Sequence, residues 1–529
     1  MSITFSIVIP VYNSNPKYLT ETIKSITDQT YPDWQIVIVD DASTTDDNGD
    51  WCRRMLSSIN PKKQLFFRLR ENSGIQVATD LGISHATGTH ICLSDHDDRV
   101  HPECLEKLAQ HIEKTGHKFV YTNHCLIDEK GDVKQDLGKP DWNREFIYQC
   151  MYLGHIMCFD GELAKTLVQE REGSDYGPSQ DWDLALRMSE HLKDNEIGHI
   201  DEHLYQWRIH GGGHQVKPTW VAVADQCSKN AIHDHLKRIG KDKVMEVFPT
   251  GTSGRYGVKR HMQGNPKIAV IVPTRDKVVQ VKAFIDSFER ETECSADLHI
   301  LFHCEGEETS RYIQQMRKLL YKTRHNIHEW HKSFNYAAMM NFMVAKLPDY
   351  EYYVFTNDDV ILGYRAIDEL VALMTIDKTV GITGAKLYFP GNRMNYRMPL
   401  CWTLHTDTIQ HAGVSIGAGL TPGHAYYNHP NSTIETVYVR EVEAVTFALA
   451  AVRKEVMIKF PFDETWWNNY NDVDLCMRAR QGGYKVMFTP WAVSWHSEGA
   501  SRKAMGMCEV TKELALFRQK WQGKYNPNI

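Results

Sequence analysis

The sequence lacks the features that mark several large classes of protein. None of its apolar runs approaches the roughly 20 residues that a bilayer-spanning helix needs. The first residues, MSITFSIVIPVYN, contain neither a basic segment nor a cleavage-site pattern and are typical of a first strand. We therefore expect a cytoplasmic protein without a transmembrane segment, and peripheral association with the inner face of the cytoplasmic membrane stays open.

Paired cysteines and an excess of basic charge are also missing. The 12 cysteines are scattered without a CxxC pair, which in a chain of 529 residues favours reduced thiols over a disulfide framework or a zinc site. A formal net charge of −7 and a pI near 6.4 argue against a generally nucleic-acid-binding surface. Nucleic acid is therefore a disfavoured partner.

The length of the chain predicts more than one domain. A chain of 529 residues exceeds what one hydrophobic core usually serves. Residues 251–266 are rich in glycine, polar and basic residues and interrupt the periodic pattern, so they are predicted to be a linker. The predicted domains are residues 1–250 and residues 267–529.

One arrangement of motifs occurs in both halves. Each half has an apolar run ending in proline, an acidic cluster after a later apolar run, and an Asp-x-Asp pair at a helix start. The first half has IVIP at 7–10, DHDD at 95–98 and QDWD at 180–183, and the second has IVP at 271–273, NDD at 357–359 and NDVD at 471–474. Pro273 follows Pro10 by 263 residues and Asp359 follows Asp97 by 262, which indicates that the two cores repeat.

Strand and helix signals alternate along each half. The β-branched run Phe5–Val11 is followed by a helical pattern and then by a second strand, Trp34–Asp40. Such alternation predicts an α/β fold with two tandem Rossmann-like domains, each built on a doubly wound, mostly parallel sheet. Ligands of such sheets bind outside the carboxyl ends of the strands, where Asp40, Asp41 and the DHDD cluster fall.

The Asp95-x-Asp97 pair at a predicted strand end has two interpretations. Two carboxylates on one tight turn suit a hard divalent cation, Mg²⁺ or Mn²⁺, especially when substrate phosphates complete the coordination. A solvated aspartate-rich turn is the commoner meaning of such a pair. The strand-end position, the acidic end of the second strand and the recurrence of the pattern in the other half favour the site for a metal and a diphosphate.

Two further kinds of position have both a structural and a functional interpretation. Asp181 and Asp472 open predicted helices, where an aspartate is usually a cap but can also be a general base aimed into a cleft. His210 and His496 each follow an Asp-x-Asp helix and a strand, and a lone histidine is more often a hydrogen-bonded polar side chain than a ligand. Because one histidine occupies this place in each half, contact with a metal or a diphosphate is an equal alternative.

In combination, these motifs resemble glycosyltransferase family 2, which has the GT-A fold, over nearly the whole chain as two tandem domains. The matching segments in the first half are IPVYN at 9–13, VDDAS at 39–43, NSG at 72–74, SDHDD at 94–98, SQDWD at 179–183 and YQWRIH at 205–210. Those in the second half are VPTRD at 272–276, FNYAA at 334–338, NDD at 357–359, QHAG at 410–413, NDVD at 471–474 and WH at 495–496. Within the family, the chain is most similar to two-domain enzymes that build bacterial O-antigen and capsular polysaccharides.

The resemblance implies a bifunctional, inverting transfer of sugars from nucleotide-sugar donors to a glycan or lipid-linked glycan acceptor, with Mn²⁺ or Mg²⁺ as cofactor. It implies that Asp181 and Asp472 are the catalytic bases and that the metal ligands are Asp97, His210, Asp359 and His496. The implied donor-binding residues are Pro10, Tyr12, Asp40, Asp41, Asn72, Asp95, Pro273, Arg275, Asn335, Asn357 and Asp358.

The second half departs from the family pattern at one strand end. Its second strand, Leu298–Phe302, is followed by HCE, where relatives carry an acid that contacts the nucleotide base. Glu305 could take that role only with a shifted loop, and His303 opposes a simple transfer of it. An active second domain and an inactive one that retains a sugar-binding cleft are therefore both open.

Other functions remain as alternatives. They are one catalytic domain beside an acceptor-binding domain, a carbohydrate-binding scaffold without turnover, and a nucleotidyltransferase. The last is disfavoured because the loop YNSNP at 12–16 lacks the glycines and the basic residue that hold a triphosphate, and the acidic charge disfavours a modified-DNA acceptor. Most tryptophans fill cores, but Trp182, Trp466 and Trp467 adjoin the proposed bases and are the predicted acceptor platforms.

Overall fold

The computed structural model describes residues 2–44, 48–210, 218–275, 277–304, 313–314, 325–390, 408–497 and 507–526. The chain divides into two compact units: unit 1 is residues 1–242 with 247–257, and unit 2 is residues 243–246 with 258–529. Between the two units in sequence, β10 (Met245–Pro249) and β11 (Tyr256–Arg260) form a two-stranded sheet. The predicted linker at 251–266 and the domain limits beside it stay a prediction.

Unit 1 alternates strands with helices. Its described strands are β1 Phe5–Val11, β2 Trp34–Asp40, β3 Gln64–Arg68, β4 His90–Leu93, β5 Arg99–Val100, β6 Phe119–Ile127, β7 Val133–Leu137, β8 Met157–Asp160 and β9 Ile197–Arg208. Its described helices are α1 Pro16–Thr27, α2 Asn48–Leu56, α3 Ile75–His85, α4 Cys104–Thr115, α5 Gly161–Glu170, α6 Gln180–His191 and α7 Pro218–Arg238.

The sheet of unit 1 runs in the order β3-β2-β1-β4-β8-β6-β9-β5, with β7 beside β6. The pairs β1–β2, β1–β4 and β2–β3 are parallel, which requires the crossover helices between them. β8 is antiparallel to both of its neighbours. The predicted doubly wound α/β fold is therefore confirmed. On the far side of β4, the sheet also contains antiparallel strand pairs.

Unit 2 follows the same plan with additional strands. Its described strands are β12 Ile268–Thr274, β13 Ala296–His303, β14 Asn326–Trp330, β15 Tyr352–Thr356, β16 Val360–Leu362, β17 Val380–Tyr388, β18 Ile409–His411, β19 Val414–Gly417, β20 Thr421–His424, β21 Arg440–Glu441, β22 Leu449–Arg453 and β23 Lys485–His496. Its described helices are α8 Val278–Glu291, α9 Tyr336–Lys346, α10 Ala366–Ile376, α11 Lys454–Lys459, α12 Asn471–Gln481 and α13 Met507–Trp521.

The main sheet of unit 2 runs in the order β14-β13-β12-β15-β22-β17-β23-β16, so its central strands occupy the same positions as those of unit 1. Alternate residues of β12 enter two hydrophobic cores: Ile271 packs in one, and Val270 and Val272 pack in the other. Side chains alternate across a strand, and both faces are buried because helices cover both.

Local sequence signals explain where the first helix begins. The side chain of Asn15 caps α1 by accepting a hydrogen bond from the Lys17 backbone N–H at 2.9 Å, and Pro16 takes the first helical position, where its missing N–H costs nothing. The strand–helix–strand order predicted for this region is confirmed, with β1 and β2 ending at the predicted residues.

Two whole-chain expectations concern cysteines and membranes. Ten cysteines in the described part of the chain are free thiols, and most of them are buried. Within the same residues, no helix combines the length and the hydropathy of a segment that crosses a bilayer.

Candidate functional site

The parallel strands of unit 1 bring the predicted site residues to one edge of the sheet. The ladder continues past the strands, since the Asp41 N–H donates to the Val11 carbonyl at 2.8 Å and the Ser94 N–H donates to the Val8 carbonyl at 3.1 Å. The acidic end of β2 and the DHDD turn after β4 therefore leave the sheet on the two sides of the loop that follows β1. This is the crevice in which open α/β sheets bind ligands.

His210 lies against the acidic turn of unit 1. The short strand β5 follows the DHDD cluster and pairs antiparallel with β9, with Val100 opposite Tyr205. This pairing brings His210 Nε2 to 2.8 Å from Asp97 Oδ2. The two side chains are 19% and 23% exposed, so a small ligand can reach both. An imidazole nitrogen beside a carboxylate oxygen is a suitable ligand pair for a divalent cation.

Asp98 holds the acidic turn in place. Its carboxylate is buried and accepts hydrogen bonds from the Tyr205 hydroxyl and the Arg208 backbone N–H, both at 2.7 Å. Burial, reinforced by the other two aspartates of the turn, raises the pKa of Asp98 well above its ordinary value. Arg208 also donates to the Asp97 carbonyl at 2.8 Å. Tyr205 and Arg208 belong to the YQWRIH segment, but their roles were not predicted.

A histidine outside all the predicted sites, His155, lies beside Asp95. His155 Nε2 is 3.4 Å from Asp95 Oδ2, and its ring packs against Tyr205 with centroids 5.6 Å apart. Burial opposes a charge on both partners, but the attraction between them prevails. It raises the pKa of His155 to about 9, with a smaller contribution from Asp181, and it lowers the pKa of Asp95. No motif pointed to His155, because its place depends on the loop before β8.

The two aspartates at the start of α6 differ in their surroundings. Asp183 is fully buried and forms ion pairs with Arg187 at 2.8 Å and Arg171 at 3.3 Å, so it is part of the core. Asp181 is half-buried and accepts a hydrogen bond from the Trp182 backbone N–H at 2.8 Å. Burial raises the pKa of Asp181, although His155 opposes the shift. A carboxylate with a raised pKa is better suited to accept a proton.

Asp40 and Asp41 are engaged in the fold. Asp40 is fully buried, accepts a hydrogen bond from the Ser43 N–H at 3.0 Å and lies 3.3 Å from the guanidinium of Arg68. Asp41 accepts hydrogen bonds from two backbone N–H groups before α3, at 2.7 and 2.9 Å, and from Asn72 Nδ2 at 3.0 Å. These carboxylates connect β2 to the loops around it and so shape the predicted donor pocket.

The prolines near the ends of the first strands occupy matched positions in the two units. Pro10 and Pro273 each sit one residue before the end of the ladder with the second strand of their sheet. Two residues further on, Tyr12 is 38% exposed and Arg275 is exposed as well. The predicted donor-binding residues of both loops are therefore accessible.

Unit 2 repeats the contact between a histidine and the acidic turn. β16 pairs antiparallel with β23, and His496 Nε2 lies 3.2 Å from Asp359 Oδ1 and 3.1 Å from Asn357 Nδ2. On its other side, His496 Nδ1 lies 2.8 Å from Gln410 Oε1, and Gln410 Nε2 donates to the His496 carbonyl at 3.0 Å. A proton on Nδ1 would be donated to Gln410, and Nε2 would then be the nitrogen that faces a metal.

Asp358, the middle residue of the second acidic turn, is linked to the first loop of unit 2. Its carboxylate accepts a hydrogen bond from Thr274 Oγ1 at 2.8 Å and lies 3.4 Å from Lys277 Nζ. Burial raises the pKa of Asp358, and the lysine opposes the shift. The corresponding residue of unit 1, His96, makes a 3.0 Å contact with Ser14 in the same loop.

The start of α12 resembles the start of α6. Asp472 accepts hydrogen bonds from the Phe447 N–H at 3.2 Å and the Val473 N–H at 2.8 Å, whereas Asp474 is fully buried and pairs with Arg478 at 2.8 Å. In each unit the first aspartate of the pair is half-buried and the second is part of the core.

Asn335 is the N-cap of α9. Its side chain accepts a hydrogen bond from the Ala338 N–H at 2.9 Å and donates to the Glu464 carbonyl at 2.9 Å. The cap thereby connects α9 to the loop that precedes α12, so Asn335 acts in the structure as a link between two segments of the predicted site.

The strand register shows how unit 2 departs from unit 1 at the end of its second strand. Val11 is paired with Asp40, and Thr274, at the matching position after the proline, is paired with Phe302. His303 therefore stands in the place of Asp41. His303 Nε2 lies 3.2 Å from the Lys332 carbonyl. Glu305, the predicted substitute, lies outside the described residues.

The three predicted aromatic platforms differ in exposure. Trp182 is 3% exposed and its indole N–H donates to the Ile147 carbonyl at 2.8 Å. Trp466 is 2% exposed and packs against Phe517. Neither ring presents a face to a sugar in this arrangement, whereas Trp467 is 38% exposed.

Comparison with known proteins shows which of them this chain is similar to. Residues 6–161 match the profile of glycosyl transferase family 2. An uncharacterized protein, y4gI of Sinorhizobium fredii, is 30% identical over 99% of this chain and 57% of its own length. The O-antigen biosynthesis protein RfbC of Myxococcus xanthus is 28% identical over 99% of this chain and 40% of its own length. The chain thus spans about half the length of these curated relatives.

Among solved structures, S. aureus TarS 1–349 aligns with 44% of this chain and 72% of its own chain, at 19% identity and a TM-score of 0.33. Residues 6–161, which match the family profile, contain the first strand, the acidic end of β2 and the DHDD turn of unit 1. This part of unit 1 is therefore similar to glycosyl transferase family 2.

Proposed function

We propose that the chain is a bifunctional, metal-dependent, inverting glycosyltransferase that moves sugars from nucleotide-diphosphate donors to a growing glycan. One observation carries the proposal. In both units, a histidine at or just after the end of the last long strand lies against an aspartate of the acidic turn. These pairs are His210 with Asp97 at 2.8 Å and His496 with Asp359 at 3.2 Å. The repetition of this pair supports two sites.

The donor set of each pair fits a divalent cation. In unit 1 the ligands would be Asp97 and His210, and in unit 2 they would be Asp359 and His496, whose opposite nitrogen, Nδ1, faces Gln410 Oε1. When bound, Mn²⁺ or Mg²⁺ supplies positive charge that neutralises the diphosphate of the donor and the leaving group.

The protein residues supply the rest of the chemistry. The general base is Asp181 in unit 1 and Asp472 in unit 2. It takes the proton from the acceptor hydroxyl as the hydroxyl oxygen attacks the anomeric carbon of the donor sugar. The bond from that carbon to the nucleoside diphosphate breaks at the same time. The half-buried position at a helix start and the raised pKa of Asp181 support the base role in unit 1. A single displacement of this kind inverts the anomeric configuration.

The remaining predicted residues orient the donor. We propose that Tyr12 and Arg275, whose accessible side chains follow the first strands, contact the nucleotide. In unit 1, the acidic end of β2 and Asn72 shape the nucleotide pocket. Asp95, Asn357 and the loop residues around them face the ribose and the sugar. Trp467 is the acceptor platform of unit 2.

A bacterial surface glycan is the proposed product. The name of the M. xanthus relative, an O-antigen biosynthesis protein, supports an O-antigen or capsule-type polysaccharide, and a lipid-linked glycan is the corresponding acceptor. We propose that the protein acts in the cytoplasm, with peripheral association at the membrane that carries such an acceptor.

A second candidate assigns catalysis to unit 1 and acceptor binding to unit 2. The register at the end of β13 favours it, because Phe302 and His303 replace the two acids Asp40 and Asp41. The pair of Asp359 and His496 favours an active unit 2.

Loss of separate activities distinguishes these candidates. Release of nucleoside diphosphate from UDP-, dTDP- and GDP-sugars would be measured with and without Mn²⁺ for the wild type, Asp97→Ala and Asp359→Ala. We expect each variant to lose at least about 100-fold in turnover of a different donor. Asp136→Ala on the exposed strand β7 and Asp286→Ala on the surface of α8 are matched controls. A silent Asp359→Ala variant would assign unit 2 to acceptor binding, and absence of metal-dependent turnover in the wild type would refute the proposal.

A further inference from the structure

The edge of the unit 2 sheet brings together three side chains that ligate metals. β13 and β14 are parallel, with Phe302 opposite Glu329, and the Cys304 N–H continues the ladder by donating to the Trp330 carbonyl at 2.8 Å. Because side chains alternate along a strand, Glu329 and His331 point to one face, and the register places Cys304 beside them. The sulfur, a carboxylate oxygen and an imidazole nitrogen lie within 4.8 Å of one another.

These three groups are the ligands that zinc prefers. Zn²⁺ binds thiolate, imidazole and carboxylate, and sites with an open position hold it with three protein ligands and a water in the fourth position. A sulfur ligand selects against Mg²⁺, Ca²⁺ and Mn²⁺, which prefer oxygen. The distance from His331 Nε2 to Glu329 Oε2 is 3.2 Å, close to the separation of two ligands on one tetrahedral ion.

The site is open on one side and partly enclosed on the other. Cys304 and Glu329 are half-buried, whereas the side chain of His331 is 69% exposed. An ion can therefore enter from solvent, and the thiol lies against the hydrophobic core on the inner side. Burial, and after it the carboxylate of Glu329, raises the pKa of the Cys304 thiol. A bound cation reverses that effect, so binding would release a proton.

Comparison of the two sheets shows what this site replaces. In unit 1, Asp40 lies opposite Arg68, and the two side chains form an ion pair at 3.3 Å. In unit 2, the residue in the position of Asp40 is Phe302, and the residue in the position of Arg68 is Glu329. The positively charged side chain of Arg68 joins the two strand ends in unit 1. In unit 2, the negatively charged side chain of Glu329 takes its position.

We propose that Cys304, Glu329 and His331 form a zinc site that joins the end of β13 to the edge strand β14. The site differs in ligands and in metal preference from the proposed Asp359–His496 pair. It does not depend on the proposed transferase function, and its test reads metal coordination and not turnover.

Cobalt substitution tests the proposal directly. The full chain, stripped of metal and held in excess Mg²⁺ to occupy oxygen-rich sites, is titrated with Co²⁺. We expect one equivalent to produce a thiolate-to-cobalt charge-transfer band in the near ultraviolet together with the strong visible bands of tetrahedral Co²⁺, and Zn²⁺ to remove both. Cys304→Ser should abolish the charge-transfer band, and His331→Ala should weaken Co²⁺ binding by at least about tenfold.

The control is Cys227→Ser, which removes another partly exposed thiol, in unit 1. It should leave the cobalt spectrum unchanged. Thermal unfolding of the metal-free variants shows whether Cys304→Ser and His331→Ala remain folded, and if one of them does not, the other is compared with the wild type. No charge-transfer band in the wild type, or a band that persists in Cys304→Ser, would overturn the proposal.

Discussion

At the scale of single residues, the environment of a side chain decides whether it serves the fold or the site. Asp181 and Asp183 are two positions apart on one helix, yet Asp183 is enclosed by arginines and Asp181 is not. The same contrast separates Asp472 from Asp474. The Asp-x-Asp pattern therefore combines a buried anchor with a second carboxylate that the anchor holds at the start of the helix.

The ion pair of His155 predicts how stability changes with pH. The pKa of His155 rises from its ordinary value near 6.5 to about 9 in the folded chain. The folded chain then binds more protons than the unfolded chain between these values. The stabilisation, at most about 3 kcal/mol, is therefore fully present below pH 6.5 and is lost as the pH rises through 9.

The measurement is the thermal unfolding midpoint of the wild type and of His155→Gln from pH 6 to pH 9.5. The midpoints should differ most at the acidic end and converge at the alkaline end. His85→Gln, on the exposed face of α3, is the control and should follow the wild type. Parallel curves for the wild type and His155→Gln would contradict the prediction.

The hydroxyl of Tyr205 forms hydrogen bonds with one side-chain group and one backbone group of the acidic turn. It donates to Asp98 Oδ2 at 2.7 Å and accepts from the Asp95 N–H at 3.1 Å. Tyr205→Phe leaves both groups without this partner in a buried place. We expect a loss of about 1–3 kcal/mol in the free energy of unfolding and a lower turnover of the unit 1 donor.

Donor turnover and chemical unfolding of Tyr205→Phe can be compared with Tyr31→Phe. Tyr31 donates to the Ile3 carbonyl at 2.8 Å, away from the acidic turn, so its variant should lose stability alone. Equal turnover in the two variants would show that the Tyr205 hydroxyl does not hold the turn.

At the scale of elements, the last helix positions the loop before α12. Glu513 of α13 is 6% exposed, and its carboxylate accepts hydrogen bonds from three successive backbone N–H groups, those of Trp467, Asn468 and Asn469, at 2.9–3.0 Å. This loop carries the proposed acceptor platform. One carboxylate therefore sets the shape of a segment that has no regular secondary structure of its own.

Glu513→Ala should disorder that loop. We expect the free energy of unfolding to fall by about 2 kcal/mol or more, and the acceptor KM of unit 2 to rise more than its donor KM. Leu516→Ala, at a 49% exposed position of the same helix, should change the free energy of unfolding by less than about 0.5 kcal/mol. Acceptor and donor KM values that rise together would indicate general damage to unit 2 and not a specific effect on the loop.

The element bounds show why local sequence predicted some features well. The strands β1 and β2 have continuous β-branched runs that end in proline or acid, so their limits could be read directly. The antiparallel β8 has four residues and no such signal, because its direction depends on pairing with β4 and β6. His155, just before β8, was missed for the same reason.

At the scale of the whole molecule, two units share one plan for building a site. Their sheets have the same central strand order, and each pairs a short strand after the acidic turn with the last long strand. If both units catalyse a single displacement, each product must have the anomeric configuration opposite to that of its donor.

Nuclear magnetic resonance of the isolated products measures this configuration. The scalar coupling between the first two ring protons distinguishes the anomers of donor and product. Inversion at both linkages is expected. Retention in the product lost with Asp97→Ala or with Asp359→Ala would rule out the mechanism for that unit, without affecting the assignment of the other.

The sequence by itself determined the repeat, the α/β class and the placing of acid at strand ends, because these follow from periodicity and from local chemistry. Only the tertiary structure decided which of those residues meet. It brought Asp97 to His210, made Asp183 an anchor, buried Trp182 and assembled Cys304 with Glu329 and His331, although the cysteine pattern had argued against a zinc site. These contacts join residues far apart in the chain, and strand register and burial fix them, which no local pattern encodes.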